Sequence, residues 1–153
     1  MEIQNFVSRK FCSGPEDTAV YDILKQWIHK KTNFFLVTGY ESEIIGVVTL
    51  YDVLKRLLPF FLQLDDILAE FVTDDLLSPA KIKECLRLTA GEIMTKEVVS
   101  IKPEDNFLKA ATIIFSMDYD FLPVIDDKGK CHGIVSRTSL EEAMLETVDT
   151  HLD

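Results

Sequence analysis

Thr49 and Asp52, in the phrase GVVTLYD from Gly46 to Asp52, have the types and spacing of a working pair. A hydroxyl donates and accepts hydrogen bonds, and an ionised carboxylate accepts them at two oxygens, so the pair can hold a hydroxyl-bearing ligand. At this spacing the same two groups can instead cap the first turn of a helix with no ligand involved. Spacing alone favours the cap, and one arrangement can serve both purposes. A second phrase, GIVSRTS from Gly133 to Ser139, repeats the first with Ser136 for Thr49 and Ser139 for Asp52. Ser139 has no carboxylate, and Ser139 with Glu142 reads as a capping box that opens a helix near Ser139.

What must position these pairs is a duplicated unit. Pro15-Glu16-Asp17 matches Pro103-Glu104-Asp105 at an offset of 88, which also sets Trp27 on Phe115, a match that reads Trp27 as core. Gly46 then matches Gly133 at 87, a slip of the kind a hairpin of variable length leaves. In the later copy Val98–Ile101 reads as a strand, and Pro103-Glu104-Asp105 as a helix start with acids in its first turn. Leu108, Ala111, Thr112 and Phe115 recur at helical spacing and read as that helix's buried face. Phe121–Ile125 and Cys131–Val135 read as hairpin strands around a turn at Asp126–Gly129, followed by the helix from Ser139 through Leu145.

The earlier copy keeps the order: a strand near Lys10–Ser13, a helix from Glu16 to about Lys30, strands at Phe34–Thr38 and Ile44–Val48, and a helix from about Leu50. Each unit is therefore strand, helix, strand, strand, helix, an α+β pattern. The chain divides into residues 1–59, a helical insert and linker at 60–95, and 96–153. In the insert Phe61, Leu64, Leu68 and Phe71 form one apolar stripe on an otherwise acidic segment, and Ser78-Pro79 opens a helix running through Leu86 toward Ile93.

Bulk composition narrows the function. The 153 residues carry a net charge of −10, and a field of that sign disfavours nucleic acid and anionic membrane surfaces. No apolar run is long enough to insert in a bilayer, and Glu2, Gln4 and Asn5 interrupt any apolar leader. Cys12, Cys85 and Cys131 form no pair at metal-ligand spacing and read as reduced thiols of a cytoplasmic protein. His29, His132 and His151 lack metal-binding companions, and no nucleophile–base arrangement or phosphate-binding glycine loop is legible. The expectation is no catalytic residue, no metal and no enzyme.

The segment GEIMTKEVVSIKPEDNFLKAATIIFSMDYDFLPVIDDKGKCHGIVSRTSL resembles a CBS domain in its lead, its V-x-I-x-P strand, its LPVxD-x-x-G hairpin and its closing GIVS. Residues 8–58 resemble a second, more diverged copy. The resemblance implies a tandem pair, or Bateman module: two units packed about a pseudo-two-fold axis, with two clefts for adenosine-containing ligands such as AMP, ADP, ATP, NAD or S-adenosylmethionine. It implies a stand-alone regulatory module that needs no cofactor, commonly a homodimer, with a regulated enzyme or transporter as its partner.

In that family the ribose signature is a glycine, two apolar residues, Ser or Thr, two variable residues and Asp, which GVVTLYD fits. The resemblance thus assigns Thr49 and Asp52 to the ribose of an AMP-like nucleotide, with Gly14 and Asn33 at adenine-proximal backbone positions. The second cleft, with Ser136, Ser139, Phe121 and Arg137, is expected to bind weakly or to hold something else. The alternative is a dimerisation or partner-binding module whose clefts are vestigial and whose contact surface is the acidic insert.

Overall fold

The computed structural model describes residues 2–57 and 78–151. The stripe read on Phe61, Leu64, Leu68 and Phe71 lies outside them. Two compact units form, one from Cys12–Tyr40 with Ile45–Glu97, the other from Met1–Phe11, Glu41–Ile44 and Val98–Asp153. Helices and small sheets are mixed in both, in keeping with the α+β expectation.

In the former unit the unbroken apolar run Phe34–Val37 becomes the buried part of β2 (Phe34–Thr38), the middle strand of three. β1 (Cys12–Pro15) pairs with it in parallel, Gly14 opposite Val37. β3 (Ile44–Thr49) takes the other edge, and because residues 39–43 are too few for a crossover, β2 and β3 run antiparallel. On α1 (Val20–Lys30) Val20, Ile23 and Trp27 share one buried face, and Trp27 Nε1 donates to the Phe34 carbonyl at 2.8 Å. Trp27 is core, as expected.

The helix does not begin at Glu16. Thr18 closes a turn, its N–H and hydroxyl both donating to the Pro15 carbonyl, at 3.1 and 2.7 Å. Ala19 then runs extended beside Thr89, with the Val20 N–H reaching the Leu88 carbonyl at 2.8 Å. That same pairing explains why the helix opened by Ser78 stops early. Ser78 Oγ accepts from the Lys81 N–H at 3.2 Å and starts α3 (Pro79–Leu86), but Thr89 is held extended beside Ala19, so a separate turn, α4 (Ala90–Ile93), follows.

In the other unit β4 (Phe121–Ile125) and β5 (Cys131–Ser136) form the expected hairpin, with Gly129 at φ 82° in its turn. The strand expected at Val98–Ile101 shrinks to one residue: Ile101 alone bridges Val124. α5 (Phe107–Met117) starts at Phe107 rather than Pro103, because Asn106 caps it, its Oδ1 accepting from the Lys109 N–H at 3.0 Å. Asp105 therefore lies before the helix, folding its carboxylate onto the Lys102 N–H at 2.8 Å.

The face read as buried on α5 is the exposed one. Ala110 and Ile114 are buried, whereas Leu108 and Phe115 are 71% and 87% exposed. The helix is apolar nearly all round, so periodicity had two faces to choose from, and packing against the hairpin and the leader residue Ile3 selects the narrower one. The last helix, α6 (Arg137–His151), begins two residues before Ser139.

The two copies follow one uniform spacing. Phe34 and Phe121, Thr49 and Ser136, and the left-handed helix caps Lys31 and Asp118 all stand 87 residues apart. The hairpins are equal in length, so there is no slip, and the Pro-Glu-Asp match at 88 is out of structural register. Trp27 accordingly matches buried Ile114, and exposed Ile28 matches exposed Phe115. The leaders, residues 3–8 and 90–95 ahead of each repeat, follow the same spacing but exchange units. Ile3 N–H donates to the Asp105 carbonyl, and Ala90 N–H to the Thr18 carbonyl, both at 2.8 Å.

Candidate functional site

Thr49 ends β3 and Asp52 stands in the first turn of α2 (Leu50–Leu57). The Asp52 carboxylate turns back on the strand end: its Oδ2 accepts from the Thr49 N–H at 2.8 Å and from the Thr49 hydroxyl at 3.0 Å. This is the carboxylate half of a capping box, satisfying a donor that the helix start leaves without an intrahelical partner. The capping reading of the spacing thus describes the geometry.

A third donor comes from far along the chain. The Thr95 hydroxyl donates to Asp52 Oδ1 at 2.9 Å. Thr95 is placed there by its backbone, which bridges Val47 in both directions, at 2.8 and 2.9 Å, along the free edge of β3. With these bonds Asp52 is only 8% exposed. Asp52 and Thr95 both line a cavity of about 370 Å³, together with Lys55, Arg56 and Glu92. Arg56 is anchored at its rim, Nη2 donating to the Glu92 carbonyl at 2.7 Å.

The other residues of this cluster are nearby in chain topology to different degrees. Asn33 is exposed and precedes Phe34, at the end of β2 to which antiparallel β3 brings Thr49. Gly14, opposite Val37, lies toward the other end of that strand. Its lack of a side chain is required by packing: a β-carbon there would sit 2.9 Å from the Phe35 ring and 3.2 Å from the Thr18 hydroxyl. A β-carbon at Gly46 would crowd the Met94 thioether and the Thr95 carbonyl oxygen.

In the second copy Ser136 and Ser139 cap each other. Ser136 N–H donates to Ser139 Oγ at 3.1 Å, and Ser139 N–H to Ser136 Oγ at 3.2 Å. Ser136 is thus the cap of α6 and Ser139 its partner in the first turn; the capping box read from Ser139 to Glu142 is not the one that forms. Phe121 pairs with Ser136 in the strand register. Arg137 follows Ser136, but its guanidinium is engaged by Asp118 at 3.0 Å and Asp120 at 3.5 Å. Ser8 stands where Thr95 stands in the first copy, bridging Ile134, yet its hydroxyl accepts from the Lys10 N–H.

Thr95 is the residue that sequence reading passed over. Its signal was present as the last letter of the GEIMT lead, but nothing in local spacing connects it to Asp52. Cys12 and Cys85 are buried and Cys131 half-buried, and all three are free thiols. Burial pushes the Cys85 and Cys131 thiols up from their ordinary value. No group of candidate metal ligands is found among the described residues, and none of their helices is long and apolar enough to cross a membrane.

The model of the CBS domain matches residues 4–59 and 90–146. MJ1426 of Methanocaldococcus jannaschii is 26% identical over 140 residues, 85% of this chain and 83% of that protein. The chloroplastic CBS domain-containing protein CBSX2 of Arabidopsis thaliana is 26% identical over 142 residues, 84% of this chain but only 56% of the plant protein. The crystal structure of CBSX2 superposes with a TM-score of 0.73 at 21% identity, covering 97% of this chain and 96% of that one. A structure of CBSX2 in complex with AMP gives 0.70 at 22% identity, covering 95% and 97%. The CBS domain pair of MJ0100, in complex with 5′-methylthioadenosine and S-adenosyl-L-methionine, gives 0.66 at 16% identity, covering 96% and 98%. At these identities the solved structures speak for the fold.

Proposed function

The chain belongs to the CBS-domain family, and from that premise we propose that it is a regulatory module binding an adenosine-containing ligand, AMP-like, at Asp52. The observation that carries this reading is the Asp52 carboxylate. It is almost buried, fixed by Thr49 and Thr95, lines a cavity, and keeps one acceptor position that these donors leave unfilled. A carboxylate so restrained is pre-organised for a ligand hydroxyl, and little ordering entropy is lost on binding. CBSX2 bound to AMP and MJ0100 bound to two adenosine derivatives support the ligand class by family analogy. Gly14 and Asn33 contribute backbone surroundings in this reading. The cleft of Ser136, Ser139, Phe121 and Arg137 binds weakly, since its hydroxyls cap each other and its cation is neutralised.

The module works without catalysis, as a homodimer that conveys nucleotide occupancy to an enzyme or transporter. Support for self-association comes from α5 and α6, where Leu108, Phe115, Met144 and Leu145 are exposed. Isothermal titration of the full chain with AMP, ADP, ATP and S-adenosylmethionine tests the ligand. Binding of at least one, abolished or strongly weakened by Asp52→Ala, is expected. Silence toward all four at millimolar concentration, by protein shown to carry no retained nucleotide, favours the second reading, in which Asp52 is a helix cap and the module serves association alone.

A further inference from the structure

An ionised carboxylate offers about four acceptor positions, two on each oxygen. At Asp52, Thr49 fills both positions on Oδ2 with its N–H and its hydroxyl, and Thr95 fills one on Oδ1. One position remains, whereas a ribose presents two hydroxyls. We propose that Thr95 determines how the site reads ribose, an inference that rests on the assignment of Asp52 to a nucleoside. The Thr95 hydroxyl competes with one ribose hydroxyl for Oδ1, so the resting site accepts a single ribose hydroxyl and takes the second only if Thr95 turns away.

The competitor is held in place by more than its own bond. Thr95 exchanges backbone hydrogen bonds with Val47 in both directions, and Met94 packs against Gly46 immediately beside it. Only the hydroxyl is left to rotate, so the competition is between one protein donor and one ligand donor at a single oxygen. The second copy lacks the device. Ser8 occupies the matching backbone position but spends its hydroxyl on the Lys10 N–H, and Ser139 has no carboxylate to share.

The test is calorimetric titration of the full chain and of Thr95→Val and Thr95→Ser with AMP, 2′-deoxy-AMP and 3′-deoxy-AMP. Valine keeps the β-branched shape that suits the bridge while removing the donor. Wild type is expected to lose affinity with one deoxy analogue and not with the other. Thr95→Val is expected to bind AMP about three- to tenfold more tightly, the scale of one net hydrogen bond, and to lose affinity with both analogues. Thr95→Ser should restore the wild-type pattern. Equal losses in wild type with both analogues overturn the inference without any variant. Unchanged or weaker AMP binding by a Thr95→Val protein with wild-type melting temperature also overturns it. AMP binding that survives Asp52→Ala in full, or no AMP binding by either wild type or Thr95→Val, overturns the ribose assignment itself and this inference with it.

Discussion

Met94 packs against the bare Cα of Gly46: a β-carbon at Gly46 would lie 2.5 Å from the Met94 sulfur and 3.1 Å from the Thr95 carbonyl oxygen. The glycine that opens GVVTLYD is therefore explained by the leader segment lying along the edge of β3, a pairing that also delivers Thr95 to Asp52. Gly46→Ala is expected to destabilise the protein by about 1–3 kcal/mol through overpacking. Urea denaturation measures it. Part of the cost belongs to the flexible thioether, so in a Met94→Ala background the same substitution should cost less. An unchanged urea midpoint for Gly46→Ala would contradict the contact.

Asp52 and Ser139 occupy matching places and separate stability from binding. Ser139→Ala removes a mutual cap and should cost about 0.5–2 kcal/mol of stability while leaving AMP affinity unchanged. Asp52→Ala removes a cap as well, and is expected also to weaken AMP binding by about 1.5–3 kcal/mol, the scale of a hydrogen bond to a charged group. Titration calorimetry beside thermal melting reads both. Equal losses of AMP affinity from the two variants would refute the asymmetry.

Phe115, 87% exposed, contributes little to its own unit's core. Phe115→Lys should therefore leave the melting temperature of the monomeric fold nearly unchanged but shift a homodimer toward monomer, because it places a charge in an apolar contact. Size-exclusion chromatography with light scattering at several concentrations decides it. A dimer unaffected by Phe115→Lys and by Leu108→Lys moves the interface elsewhere.

Acid should destabilise the unit containing α5. The Lys102 N–H, then Lys109, hold the Asp105 carboxyl below its ordinary 3.8 after burial has opposed them in part. A carboxyl depressed by folding stabilises the fold fully above its unfolded value and loses that contribution as pH falls through the depressed one. Stability should thus decline as pH drops below about 4, and Asp105→Asn should flatten that decline. Urea midpoints at acidic and neutral pH compare the two; identical slopes would remove Asp105 from the explanation.

Thiol chemistry offers an independent check on burial. Desolvation raises the Cys85 and Cys131 thiols above 9.0, so both stay protonated near neutrality, where the thiolate is the reactive form. Alkylation by iodoacetamide at pH 7.5 should be slow for both in folded protein and fast in urea. Rapid native labelling of Cys85 would show that its environment opens readily.

The duplicated helix–hairpin–helix order was legible because it is written in local signals: the apolar run Phe34–Val37, the Asp126–Gly129 turn, and the matched phrases ending in Asp52 and Ser139; the leading strand forms in one copy and is a single bridge at Ile101 in the other. Helix starts were less legible. Pro103-Glu104-Asp105 has the composition of a first turn, but Asn106 supplies the cap and the acids serve a turn before it. The buried face of α5 was misread because the helix has apolar residues on more than one side, and only Ile3 and the hairpin select Ala110 and Ile114. The repeat register was misplaced by one residue because an accidental tripeptide match outweighed the spacing of the strands.

Chemical type and short-range spacing are properties of the chain, so the sequence by itself determined that Thr49 can meet Asp52 and that Ser139 brings no charge. The partner on the other carboxylate oxygen is a different kind of fact. Thr95 is 43 residues from Asp52 and reaches it only because the leader of one repeat lies along the strand edge of the other. A hydrogen bond of that range depends on backbone pairing and on the space left beside Gly46. Tertiary structure alone decided that Asp52 has one acceptor position to offer.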